Sequence, residues 1–135
     1  MTILYVDTSA LLKRVIAEPE SGSLRSLLVA ADASGDLLTA SSLAWVEVWR
    51  ALRRAGESDV DAAARNAVAG IAEFPLDEVI LVRARQVGPD DLRSLDAIHL
   101  ASAIAVGADS LVTYDARLAA AARSVGISVL APTGQ

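Results

Sequence analysis

The sequence has no cysteine, one histidine, one lysine and only five aromatic residues in 135 positions. Without cysteine there is no disulfide framework, no zinc-thiolate site and no Cys nucleophile, and a single histidine rules out the usual multi-His zinc sites. Any metal must therefore be held mainly by oxygen. No apolar run approaches the length of a bilayer span, and the N-terminus lacks the basic start and cleavage site of a signal peptide, so no membrane partner and a cytoplasmic location are expected. Positive charge is also scarce. The net charge is -5 and the pI about 4.7, which argues against a general nucleic-acid binder because phosphate contacts need a basic surface. What is plentiful is small and medium apolar residues. The 53% hydrophobic fraction, mostly Ala, Leu and Val, suits helices packed tightly on a sheet. The length is that of one domain over residues 1–135, and there is no repeat, linker or low-complexity stretch.

The first fourteen residues, MTILYVDTSALLKR, set the pattern. Ile3 to Val6 form a short β-branched and aromatic run, Asp7 follows at the strand's carboxyl end, and Thr8 or Ser9 can cap a helix whose apolar stripe is Leu11, Leu12, Val15 and Ile16. Glu18-Pro19 ends that helix. Ser21 or Ser23 opens the next, as far as Ser34-Gly35, and Leu37 to Ala40 is a second strand. Ser41 or Ser42 caps a helix running to Arg53-Arg54 with Glu47 inside it. Ser58 to Asp61 resembles a capping box for a helix to about Ala72. Phe74-Pro75-Leu76 suits a brief edge strand. Asp77 to Val87 is helical, Ser94 caps a largely apolar, buried helix with Asp96 in its first turn, and Leu111 to Thr113 is a strand followed by Asp115. A last helix over Leu118 to Val125 and a strand over Ile127 to Leu130 close the pattern. Short strands alternating with helices predict a three-layer α/β/α sandwich around a mostly parallel, four- to five-stranded sheet.

Asp7 and Asp115 each follow a strand, Asp96 begins a buried helix, and Glu47 lies in a helix leaving the second strand's carboxyl end. All four can reach one end of the sheet, where open α/β folds bind ligands. Gathered carboxylates repel one another unless a cation neutralises them, and hard ions such as Mg2+ or Mn2+ prefer oxygen ligands. Such an ion makes phosphodiester hydrolysis feasible without a Cys or His nucleophile. The plain alternative is that acids at helix starts merely oppose the helix dipole, and Asp96 is most open to that reading.

Val6-Asp7-Thr8-Ser9-Ala10-Leu11, Glu47 in a helix with a serine-rich start, Leu95-Asp96-Ala97-Ile98-His99-Leu100-Ala101 and Val112-Thr113-Tyr114-Asp115-Ala116-Arg117-Leu118 together resemble the PIN-domain ribonucleases, and more narrowly the VapC-type toxins of toxin-antitoxin pairs. The resemblance covers the whole chain. It implies a Mg2+- or Mn2+-dependent endoribonuclease with an acidic quartet of Asp7, Glu47, Asp96 and Asp115. Metal is expected at Asp7, Asp96 and Asp115, with Glu47 as a further ligand or acting through water. The resemblance also implies homodimerisation, an RNA substrate and inhibition by a cognate antitoxin from a neighbouring gene, with DNA touched only indirectly through that antitoxin. Thr8, Ser9 and Thr113 are candidates for orienting ligands or water, and Arg93 for lining an entry groove together with Lys13, Arg14, Arg50 and Arg117.

His99, three residues after Asp96, is a candidate ligand or base, although a core histidine with a satisfied hydrogen bond is the commoner case. Trp45 and Trp49 suit either a partner contact or a cover for the sheet. A dehalogenase-like phosphatase needs a second Asp where Ser9 stands, and a receiver domain needs a late Lys, whereas the only Lys here is Lys13. A non-catalytic PIN-like binding module and a free-standing nuclease remain as alternatives.

Overall fold

The computed structural model describes residues 1–134, and its centre is the first strand, β1 (Ile3–Val6). The run Leu4-Tyr5-Val6 is buried on both faces, because successive side chains of a strand point opposite ways. Leu4 and Val6 enter one apolar cluster and Tyr5 the other. Around β1 stand β2 (Leu37–Ser41), β3 (Ala72–Phe74), β4 (Ser110–Val112) and β5 (Ser128–Leu130), in the order β3-β2-β1-β4-β5. Every pairing is parallel, with Tyr5 opposite Thr39 on one side and Leu111 on the other.

Helices α1 (Thr8–Leu12), α2 (Ser21–Ala33), α3 (Ser42–Arg54) and α4 (Val60–Ala67) cover the Leu4/Val6 face through Leu11, Leu24, Leu28, Val48, Leu52 and Ala67. Helices α6 (Ser94–Val106) and α7 (Ala116–Ser124) cover the Tyr5 face through Leu100, Ala103, Leu118 and Ala122, with α5 (Glu78–Ala84) packed on α6. Each fully buried leucine among these contributes about 1.5–3 kcal/mol. The three-layer sandwich is thus realised with five parallel strands. The chain builds outward from β1 to β3 and then crosses to β4, so the strand order reverses between β1 and β4. That is the crevice where such sheets place their ligands.

Several element limits differ from the sequence reading. Helix α1 stops at Leu12, because Lys13, Arg14 and Val15 bond back only three residues, and Lys13 and Arg14 are drawn to partners outside the helix. Neither Ser21 nor Ser23 caps α2; its N-cap is Glu20, and the Ser21 hydroxyl instead accepts from Glu18 N–H and donates to the Ile16 carbonyl. Asp59, not Ser58, caps α4, which ends at Ala67 because Gly70 (φ 75°) turns the chain toward β3. That strand lies just before Pro75, which has no N–H to pair. Helix α5 ends at Ala84, short of Val87. The N-cap of α6 is Arg93 without a side-chain bond, and Ser94 is its first helical residue. Among the described residues no helix is long and apolar enough to cross a membrane.

Candidate metal and RNA site

Asp7 leaves β1 at the strand-order reversal and is only 4% exposed. Its Oδ1 accepts the Ala10 N–H at 3.0 Å, as an N-cap does, and also the Ser9 hydroxyl at 2.7 Å. Its Oδ2 accepts the Thr113 hydroxyl at 2.6 Å. A carboxylate has about four lone-pair sites, so one remains, on Oδ2. Burial pushes the Asp7 carboxyl above its ordinary range, and the bonds from Thr113, Ser9 and Ala10 offset this only in part. The cap is therefore Asp7 rather than Thr8 or Ser9. Being a cap does not exhaust its role, because a helix cap has no need of burial.

On the neighbouring strand, Thr113 and Asp115 form the matching turn. Asp115 caps α7 by accepting from Leu118 N–H at 2.8 Å through Oδ1, and Asp115 N–H donates to the Thr113 hydroxyl at 3.0 Å. Ser9 Oγ in turn accepts from Tyr114 N–H at 3.0 Å. Two hydroxyls thus tie both strand ends together, Thr113 by giving to Asp7 and receiving from Asp115, and Ser9 by giving to Asp7 and receiving from Tyr114.

Glu47 is reached through α3, whose inner face of Ala44, Val48 and Leu52 fixes its rotation on the sheet. Its Oε1 accepts from the Thr8 hydroxyl at 2.7 Å and lies 2.6 Å from His99 Nε2. Burial raises the Glu47 carboxyl, but the hydrogen bond from His99, the field of that ring when protonated and the bond from Thr8 outweigh it, leaving the group below its ordinary value. The ring of His99 is buried and its Nδ1 lies 2.7 Å from the Tyr5 hydroxyl. So His99 is a core histidine with its bonds satisfied, and one of those bonds is to Glu47. Tyr5 is missed by the sequence reading, which counts it only as an apolar strand residue; the available signal is a hydroxyl in an otherwise aliphatic central strand.

Asp96, in the first turn of α6, makes no hydrogen bond among the described residues. Burial, then the charges of Asp115, Asp7 and Glu47, push its carboxyl up, with only His99 acting against them. Asp96 therefore feels the other three acids at this edge, and among the described residues none of the four pairs with Lys or Arg. The donors are hard oxygens in an uncompensated negative field, which fits a divalent hard cation in kind. Among the described residues no three acids are gathered closely enough to enclose an ion. Mg2+ does not require that, since it usually takes one or two carboxylates and completes its shell with water and phosphate oxygens.

The basic residues named as a groove divide. Lys13 is held by Glu18 at 2.7 Å and Glu20 at 3.4 Å and lies over the Tyr114 ring, while Arg14 donates to the carbonyls of Ala67 and Ala69. Neither is available to a phosphate. Arg50, Arg93 and Arg117 are exposed. The tryptophans divide as well: Trp45 packs against the core, and Trp49 is exposed beside Val46.

Residues 4–124 match the PIN domain family. Ribonuclease VapC47 of Mycobacterium tuberculosis is 40% identical over 95 residues, covering 70% of this chain and 70% of that protein. Ribonuclease VapC46 of the same species is 41% identical over 97 residues, covering 72% and 71%. The solved structure of M. tuberculosis VapC20, a sarcin-ricin loop cleaving toxin, superposes with a TM-score of 0.74 at 18% identity, covering 96% of this chain and 99% of that one. VapBC2 of Rickettsia felis, bound to a promoter DNA fragment, gives 0.74 at 14% identity over 96% and 98%. At those identities the two structures speak for the fold.

Proposed function

This chain belongs to the PIN domain family, and from that premise we propose that it is a Mg2+- or Mn2+-dependent endoribonuclease, the toxin of a VapBC-like pair. The observation that carries the reading is the placement of Asp7, Glu47, Asp96 and Asp115 at the strand-order reversal with none paired to Lys or Arg among the described residues. Burial and then the other three acids raise the Asp96 carboxyl there, against His99. A divalent ion held there supplies polarisation of a phosphate oxygen and a water acidic enough to attack phosphorus near neutral pH. Asp7, Asp96 and Asp115 would hold it, one or two of them directly and the rest through bound water. Asp7 offers the lone pair left on Oδ2, Asp115 its uncapped Oδ2, and Asp96 both oxygens. Glu47 contributes Oε2, directly or through water. The Thr8 hydroxyl keeps Glu47 aimed, the Ser9 and Thr113 hydroxyls hold Asp7, and Arg93 at the start of α6 meets the phosphate backbone.

An acidic protein can still engage RNA, because charges farther than roughly 8 Å are screened at physiological salt and the local field decides. The same cleft without its ion attracts an arginine-bearing segment, which is the means by which a cognate antitoxin silences it. Residues 1–135 then act as one unit, as a homodimer in the cytoplasm, with DNA met only through the antitoxin. Incubating RNA with the purified protein and Mg2+ tests the reading, with Asp7→Asn, Glu47→Gln and Asp96→Asn as arms. Loss in all three at unchanged circular dichroism supports it, and undiminished cleavage in all three refutes it. Full cleavage in the presence of the neighbouring-gene protein would leave a free-standing nuclease, and cation binding without cleavage a binding module.

A further inference from the structure

A single line of hydrogen bonds runs from the sheet to the acids. Ser41 N–H donates to the Tyr5 hydroxyl at 3.0 Å, that oxygen lies 2.7 Å from His99 Nδ1, and His99 Nε2 lies 2.6 Å from Glu47 Oε1. Donor accounting gives the Glu47 end its direction. An ionised carboxylate only accepts, so Nε2 carries the proton toward Glu47. Nδ1 faces the Tyr5 hydroxyl, which also receives the Ser41 amide, so the ring is held in rotation from its far side. Thr8 donates to the same Glu47 oxygen, so two donors converge on Oε1 and, among the described residues, none on Oε2.

We propose that His99 is a positioning residue for cleavage: oriented by Tyr5, it clamps Glu47 by Oε1 so that Oε2 is the oxygen presented to the reaction. The proposal rests on the reading of this edge as a nuclease site. Its economy is visible in the chain. Tyr5 stands two residues before Asp7 on β1 and His99 three after Asp96 on α6, so the clamp joins both elements to Glu47 on α3. A phenylalanine at position 5 would fill the same core, and burying a hydroxyl is costly unless it is bonded. Burial keeps the Tyr5 phenol far above its ordinary pKa and hence able to donate.

The chain has one histidine, so its two ring nitrogens are directly assignable in a 15N NMR spectrum of the metal-free protein. At pH 7.5 the expected result is a proton on Nε2, with the Nδ1 signal displaced in Tyr5→Phe. A bare Nε2 overturns the arrangement. In the Mg2+-loaded protein, His99→Gln, whose amide N–H can replace the Nε2 donor, retains most of kcat. His99→Leu lowers kcat about 10–100-fold with KM for RNA unchanged. Equal loss in both variants overturns the clamp. If His99→Leu does not fold, Tyr5→Phe is expected to give a smaller fall in kcat at unchanged KM, and full activity in it overturns the role of Tyr5. Should the unaltered protein cut no RNA, the nuclease reading fails by itself, while the spectrum still decides the proton arrangement.

Discussion

The two turns that end β1 and β4 are built from the same local pattern and come out differently. In each, a short apolar strand gives way to an aspartate in extended backbone (Asp7 at φ -82°, Asp115 at φ -86°) whose Oδ1 accepts the amide three residues on. As helix caps they are equivalent. As chemical groups they are not: Asp7 is almost wholly buried under three hydrogen bonds, and Asp115 is half-buried with one. Both strands are paired on two sides, so the difference comes from the hydroxyls placed between the two turns. Thr113 and Ser9 both spend their protons on Asp7 and only receive from the β4 turn. Local sequence makes the cap, and partners distant in the chain decide which cap is buried.

The largest effect is expected where the asymmetry meets the chemistry. Asp7→Asn keeps the cap, since Asn caps about as well as Asp, yet should lower Mg2+-dependent RNA cleavage about 100-fold or more. Initial rates at matched circular dichroism measure it, and an unchanged rate would remove Asp7 from the site. Next, Thr113→Val preserves shape but deletes the hydroxyl joining the two turns, for a loss of about 1–3 kcal/mol in urea unfolding. Thr113→Ser should stay within about 0.5 kcal/mol, and a costless valine would show that the bridge holds nothing.

Smaller again is the pH dependence of the metal-free protein. Asp7 and Asp96 hold their protons more tightly folded than unfolded, so above the ordinary Asp value of 3.8 the unfolded chain deprotonates first and stability falls as pH rises. Glu47, held below its ordinary 4.5, works oppositely, and its stabilisation is lost as pH falls. Stability should therefore peak in weak acid, and Asp7→Asn should flatten the fall toward neutrality in urea unfolding measured across that range. A fall just as steep in that variant would assign it elsewhere. The smallest effect is Asp115→Asn, whose capping amide should leave stability within about 0.5 kcal/mol in the same urea experiment.

Much of this architecture is legible in the chain because its signals are local. Leu37–Ser41 and Ser110–Val112 are short apolar runs, Gly107 in the left-handed region (φ 75°) closes α6, and the acids follow strands or open helices. What is not legible depends on distant partners. Arg14 resembles a groove lining until Ala67 and Ala69, more than fifty residues on, present their carbonyls. Tyr5 is one more apolar strand residue until His99 arrives 94 residues later. The short α1 has the same origin, since its apolar stripe continues to Ile16 while Lys13 and Arg14 answer to side chains and carbonyls outside it.

The order β3-β2-β1-β4-β5 also has a consequence during synthesis. Asp7 is made before the other three acids, yet the strand that flanks it on one side, with Thr113 and Asp115 after it, comes about a hundred residues later. Until that strand emerges, Asp7 has neither its burial nor its third hydrogen bond, and β1 exposes an unpaired edge. A translation product cut short before Thr113 carries three of the four acids and no assembled site. For the nuclease proposed above, a centre closed by the fourth of five strands leaves shortened chains inactive and gives a partner made alongside it time to be present before a whole site forms.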